Sequence, residues 1–155
     1  MKPQMKKSDL QDSNEIWNAV ITVMTEYEYP SDSIVGNDTY LLYQYYSELE
    51  SGGHESLFTW FSETIDMMGI LQYSGKITAL LEKIGAVEYA AIEKKYMIAL
   101  WEKYNALENG EIEENAFYSI LEKVDGEYYQ LDGKLDHFLQ NHFVEVHQQL
   151  IDIIE

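Results

Sequence analysis

The sequence predicts an all-α fold, a compact single-domain bundle of six or seven helices. Only two prolines, Pro3 and Pro30, occur in 155 residues, and the long segments between glycines carry apolar residues at helical spacing. The length suits a single core, since a chain of this size buries roughly two thirds of its extended surface. No repeat, low-complexity run or long linker divides it. Residues 1–11 read as a flexible N-terminal tail and 12–155 as one helical domain.

The elements follow in order. Asp12 with Glu15 three residues later resembles a capping box, and Ile16, Trp17, Val20, Val23, Met24 and Tyr27 form the stripe of a first helix that Tyr29-Pro30 ends. Ser31 to Asp38 reads as a polar connector with a cap at its end. In the next helix Leu41, Leu42, Tyr45 and Leu49 fall within about 100° of one another and form the buried face, with Tyr43 opposite. Gly52 and Gly53 supply a corner. A short helix then turns Leu57, Phe58, Trp60 and Phe61 inward, before an irregular passage around Met67, Met68, Gly69 and Gly75. From Lys76 a helix runs to Gly85. The longest one spans roughly Val87 to Leu107, with Ala91, Tyr96, Ile98, Trp101 and Tyr104 at its large or core-type positions and Asn109-Gly110 at its end. A helix from about Ile112 to Val124 stops at Asp125-Gly126. The last starts near Leu135, runs to the end and is the clearest amphipathic element.

Composition narrows the function. Twenty-eight acidic residues face ten basic ones, for a formal net charge of −18, and every basic residue is lysine. Without arginine the chain lacks the side chain best suited to bidentate phosphate recognition. Direct nucleic-acid binding and anionic membranes are therefore disfavoured, and basic protein partners favoured. With no cysteine there is no disulfide, thiolate metal site or cysteine nucleophile. The N-terminus has lysines but no apolar stretch behind them, and no run approaches the roughly 20 apolar residues that span a bilayer. A cytoplasmic protein is expected.

The histidines are His54, His137, His142 and His147. The last three lie five residues apart, so successive rings point about 140° from one another and cannot converge on one ion. His142 with Glu145 lacks a matching Glu-x-x-His partner. No metal or other cofactor is expected, and these side chains read as surface or interface groups. There is no nucleophile elbow, P-loop or Rossmann glycine spacing either. His54, beside Glu55 and two glycines, is the one general-base candidate, with an exposed polar corner as the simpler reading.

Acidic residues concentrate between Glu108 and Asp136. Glu108, Glu111, Glu113, Glu114, Glu122, Asp125, Glu127, Asp132 and Asp136 face only Lys123 and Lys134, a local net of −7. One helix cannot match the charge density of duplex DNA, about one per 1.7 Å, but two adjacent acidic segments approximate a row of phosphates. Thirteen tyrosines suit half-buried positions and interfaces. Tyr43 is the best exposed contact, and of Tyr128 and Tyr129 one should be accessible.

Three places in order between Leu41 and His147 carry a family resemblance. They are the Gly52-Gly53 corner with its aromatic helix, Leu80-Leu81-Glu82-Lys83-Ile84-Gly85-Ala86 with the long helix after it, and Asp125-Gly126-Glu127-Tyr128-Tyr129-Gln130-Leu131-Asp132. The chain resembles a family of bacterial helical proteins of unknown function that includes an acidic DNA mimic. In that family the corner usually reads Asn-Gly-Gly-Phe with a glutamine shortly after; here Ser51 and His54 flank the glycines and Ser56 takes the glutamine position. The resemblance implies an all-helical acidic protein with no known enzyme activity, whose mimic member meets a DNA-binding regulator in place of DNA. For the corner it implies a structural role, with a contact role for His54.

The expected function is a non-enzymatic binding module whose acids from Glu108 to Asp136, joined by Glu48, Glu50, Glu55 and Glu63, occupy the basic face of a partner. That partner is a DNA-binding regulator or, for an immunity-type inhibitor, a basic toxin. The rival is an enzyme or ligand-binding protein with a pocket near His54 and Trp60. A third reading is a homodimer formed through the tyrosines.

Overall fold

The computed structural model describes residues 2–155. Its seven helices are α1 (Ser13–Thr25), α2 (Ile34–Trp60), α3 (Ser62–Met68), α4 (Ile70–Lys83), α5 (Val87–Glu108), α6 (Glu114–Gln130) and α7 (Leu135–Leu150). The all-α class holds. Two three-residue strands, β1 (Gln4–Lys6) and β2 (Asp152–Ile154), pair in parallel. None of the helices is long and apolar enough to cross a membrane among the described residues.

Local chemistry sets most boundaries. The Asp12 carboxylate accepts the Glu15 amide at 2.8 Å, while Glu15 reaches back to the Gln11 amide at 2.8 Å, one residue earlier than a strict capping box. At the far ends of α4 and α5 the chain closes in Schellman motifs. The Gly85 and Ala86 amides return to the Glu82 and Leu81 carbonyls, and the Gly110 and Glu111 amides to those of Leu107 and Ala106. Both glycines sit at positive φ, 92° and 72°.

α2 is the hub, touching each of the other six helices, while α4 packs along α5, α1 along α7 and α5 along α6. Its Leu41, Leu42, Tyr45 and Leu49 are buried as their spacing predicts. Tyr43 does not stand clear on the opposite side: it is half-buried and packs against the core, because α2 is surrounded.

Several expectations are corrected. α2 begins at Ile34 inside the supposed connector, since the Ser33 hydroxyl caps the Gly36 amide at 2.9 Å. α4 begins at Ile70, six residues early, with Gly75 in its interior. α6 passes straight through Asp125-Gly126 to Gln130. α1 stops at Thr25, before Tyr29-Pro30. The N-terminal tail is tied down through the pairing of Gln4–Lys6 with Asp152–Ile154, which also ends the last helix at Leu150. Trp60 is 77% exposed while Leu57, Phe58 and Phe61 are buried. On α5 the buried face is Tyr89, Ala90, Ile92, Glu93, Met97, Leu100 and Trp101, leaving Ala91 exposed.

Candidate functional site, an acidic stripe above a buried charge cluster

The corner at Gly52-Gly53 divides α2. Gly52 is extended (φ −160°), while Gly53 has φ 72° and ψ −161°, a region essentially reserved for glycine. A second constraint acts at Gly53: a Cβ there would lie 2.8 Å from the Asp125 carboxyl carbon. The bare backbone lets α6 approach and delivers His54 into the core.

His54 is therefore not an exposed corner. The residue is 0% exposed, and its ring bridges two carboxylates. Nε2–H donates to Glu93 at 2.8 and 2.9 Å to the two oxygens, and Nδ1–H donates to Asp125 at 2.6 Å. The His54 amide adds a 3.0 Å bond to the same Asp125 oxygen. With a carboxylate acceptor on each nitrogen, the ring carries both protons as an imidazolium. Burial alone would push its pKa down, but the Glu93 charge, then the ring's hydrogen bonds to Asp125 and Glu93, outweigh that and raise it from 6.5 to about 9. Glu93 is also 0% exposed and accepts the Tyr45 hydroxyl, whose pKa burial and then Glu93 raise well above the ordinary phenol value. Tyr73 faces the same carboxylate from α4, and its buried hydroxyl has no hydrogen-bond partner among the described residues.

The cluster is thus one imidazolium between two carboxylates. Glu93 is fully enclosed, and the Asp125 side chain is 18% exposed and forms the surface end of the cluster. The two ring nitrogens point to different acids, so the three side chains do not converge on a common point. A general base needs reach to a substrate proton, and a ring with no accessible surface has none. Trp60 points to solvent instead of lining a pocket with it.

Asp125 is also the inner edge of a surface feature. Around Tyr118 the hydroxyl donates to Glu55 at 2.7 Å, and that bond, with Glu114 and Glu108 nearby, holds its pKa up. The Tyr129 phenol, 50% exposed, is raised by partial burial and then by Asp125 and Glu50. Tyr46 is raised by burial and then by Glu50 and Asp136. Glu50 also accepts the Tyr128 hydroxyl at 2.9 Å, and the Tyr129 hydroxyl donates to the Leu49 carbonyl at 2.9 Å. These tyrosines trace a stripe in which Glu55 and Glu50 of α2 and Glu114 and Asp125 of α6 line the α2–α6 seam, with Glu108 at the end of α5 beside Tyr118 and Asp136 at the start of α7 beside Tyr46. Glu122 lies on the same flank of α6, two helical turns on from Glu114.

The acids expected to form a patch are thus divided. Glu108, Glu114, Asp125 and Asp136 join the stripe with Glu50 and Glu55 of α2. Glu127 points to the opposite flank, accepting the Tyr96 hydroxyl at 2.7 Å, where Lys123 also lies over the Tyr96 ring. Glu111 and Glu113 are exposed in the α5–α6 connection, and Asp132 is exposed at a positive φ of 60° after α6. Among the described residues no lysine lies within salt-bridge distance of any stripe acid; the lysine pairs are with Asp152, Asp38 and Glu82. Tyr128 is buried and Tyr129 exposed, as helical geometry requires of neighbours.

Two other histidines are more enclosed than expected. His142 is buried and bonds the Thr39 hydroxyl at 3.1 Å, with burial and then Lys83 pushing its pKa down. His147 is buried against its own helix, bonding the Val144 carbonyl at 2.7 Å. His137 is exposed.

Fold and site together define a small all-α domain in which a buried imidazolium joins the central helix to two neighbours beneath an acidic seam. The model of the DMP19-like protein family matches residues 37–147, and the chain belongs to that family. The matched span contains the Gly52-Gly53 corner, His54, Glu93 and Asp125, along with every acid of the stripe. No curated protein and no solved structure matches the chain.

Proposed function

We propose that this protein is a non-enzymatic acidic binding module that occupies the basic surface of a partner protein, in its sharpest form as a mimic of DNA facing a DNA-binding regulator. The observation that carries this reading is the α2–α6 stripe, a line of carboxylates with no lysine within salt-bridge distance among the described residues. Such a line keeps its field in solution and speeds encounter with a cationic face. From Glu114 to the level of Tyr128 is fourteen residues, about 21 Å of helix axis. Over that length the seam presents Glu114, Glu55, Glu122 and Glu50, with Asp125 partly compensated by His54. One DNA strand would carry roughly six phosphates over the same distance and a duplex roughly twelve. The density therefore suits imitation of one strand's edge. The exposed Tyr118 and Tyr129 add flat apolar area between the charges, a composition common at interfaces.

The reading is tested by capture on the immobilised protein at about 50 mM salt, followed by a wash at about 500 mM, where the Debye length falls below about 5 Å. A basic protein should be retained and then released. A variant carrying Glu55→Gln, Glu114→Gln and Glu122→Gln should retain much less of it. If the captured protein binds duplex DNA and this protein displaces that DNA, the mimic is supported; inhibition of a captured nuclease toxin supports the immunity-type version instead. Retention that ignores both salt and the charge-removing variant overturns the proposal.

A further inference from the structure

We infer that His54 is a positioning residue for the acidic stripe: its imidazolium clamps α6 into the corner of α2 and so fixes how the two helices' acids stand relative to each other. This rests on the binding reading above for its purpose, but the clamp itself is a separate physical claim. Three observations carry it. Asp125, a member of the stripe, takes its two bonds from one residue, the amide and the ring of His54. The α2 backbone at Gly53 has no side chain where one would strike that carboxylate. The other direct bonds across the seam, from Tyr118, Tyr128 and Tyr129, run to Glu55, Glu50 and the Leu49 carbonyl, on either side of the same corner.

The groups facing the clamp come from four helices. α2 supplies Tyr45 and His54 itself, α4 supplies Tyr73, α5 supplies Glu93 and α6 supplies Asp125. Without the imidazolium, Glu93 and Asp125 would be two carboxylates with no positive charge between them, one fully enclosed, and repulsion would favour parting α6 from the corner. Helix α6 could relieve this by a local opening without unfolding the whole domain. The acids at Glu114 and Glu122 would then lose their fixed placement beside Glu50 and Glu55.

Because the chain has no cysteine, spin labels go only where a cysteine is introduced. Labels at Ser51→Cys and Ser119→Cys report α2 against α6, and labels at Asn18→Cys and Gln148→Cys report α1 against α7 as a control; all four positions are exposed. In the otherwise wild-type chain each pair should give one narrow distance distribution by pulsed electron resonance at neutral pH. His54→Gln should abolish the narrow peak for the α2–α6 pair and leave the control intact. Raising the wild-type chain to about pH 10, above the raised His54 value, should do the same and decides the matter if the variant does not fold. Unchanged α2–α6 distances under both perturbations, or equal loss in the control pair, overturn the clamp. For purpose, the probe is an oligo-arginine peptide measured by calorimetry under conditions where His54→Gln remains folded. Removing a positive charge should strengthen cation binding by charge alone, whereas lost positioning should weaken it. Weakened binding supports the inference, and equal or stronger binding overturns it. No binding by the wild-type chain refutes the acidic-module reading while the distances still judge the clamp.

Discussion

Stability should fall as pH rises from neutrality, and His54 sets both the sign and the size. Its pKa is about 9 in the folded protein against 6.5 when exposed, so the folded state holds this proton more tightly than the unfolded one. The resulting stabilisation is fully present below about pH 6.5, declines as pH rises and is lost once pH passes about 9. A shift of this size corresponds to roughly 3 kcal/mol, at up to about 1.4 kcal/mol per pH unit within the window. Other perturbed groups leave that window clear. Burial raises the phenols of Tyr45, Tyr73 and Tyr128, and burial lowers His142, whose effect appears on the acid side as pH falls. Urea unfolding at constant ionic strength, in steps from about pH 6 to about pH 10, measures the slope directly. His54→Gln should be destabilised by about 3–5 kcal/mol at pH 6.5, because two acids lose their common partner, and should show a much flatter profile above it. A wild-type stability that stays level from pH 6.5 to 9 would refute the imidazolium assignment and, with it, the reading of His54 as a buried cation.

Two backbone and core substitutions should separate structural causes that look alike in sequence. Gly53→Ala should cost about 3 kcal/mol or more, from its glycine-only conformation and the collision with Asp125, whereas Gly75→Ala, inside α4 with open space around it, should stabilise by roughly 0.5–1 kcal/mol. Thermal unfolding of the pair checks both signs. Tyr73→Phe removes a buried hydroxyl that has no hydrogen-bond partner among the described residues and lies near the Glu93 charge, so it should be neutral or stabilising by about 1 kcal/mol in urea, against the usual loss for a core change.

What could be read from the sequence was whatever a few adjacent residues decide. Asp12 capping α1, the stops at Gly85 and Asn109-Gly110, the Leu41–Leu49 stripe and the opposed pair Tyr128-Tyr129 each depend on contacts within one or two turns. The structure departs from the local signal where a distant partner overrides it. Asp125-Gly126 carries turn-forming residues, yet α6 continues through it with the Asp125 side chain held by His54, 71 residues away. The final residues leave helical geometry to pair with Gln4–Lys6 at the other end of the chain.

The burial of His54 is hidden from local sequence for the same reason, since two glycines and a glutamate make a corner look exposed while its partners lie 39 and 71 residues on. One signal did point inward. Along α5, Tyr89, Glu93, Met97, Leu100 and Trp101 follow a single helical stripe, and a lone acid among such neighbours must be enclosed with its charge unless a cation reaches it. The chain has no arginine, and bringing a lysine ammonium fully into a core costs heavily. A histidine, smaller and able to donate from both sides of its ring, is the cation that fits between two carboxylates. Of the four available, His54 alone follows a glycine pair that permits so close an approach to another helix.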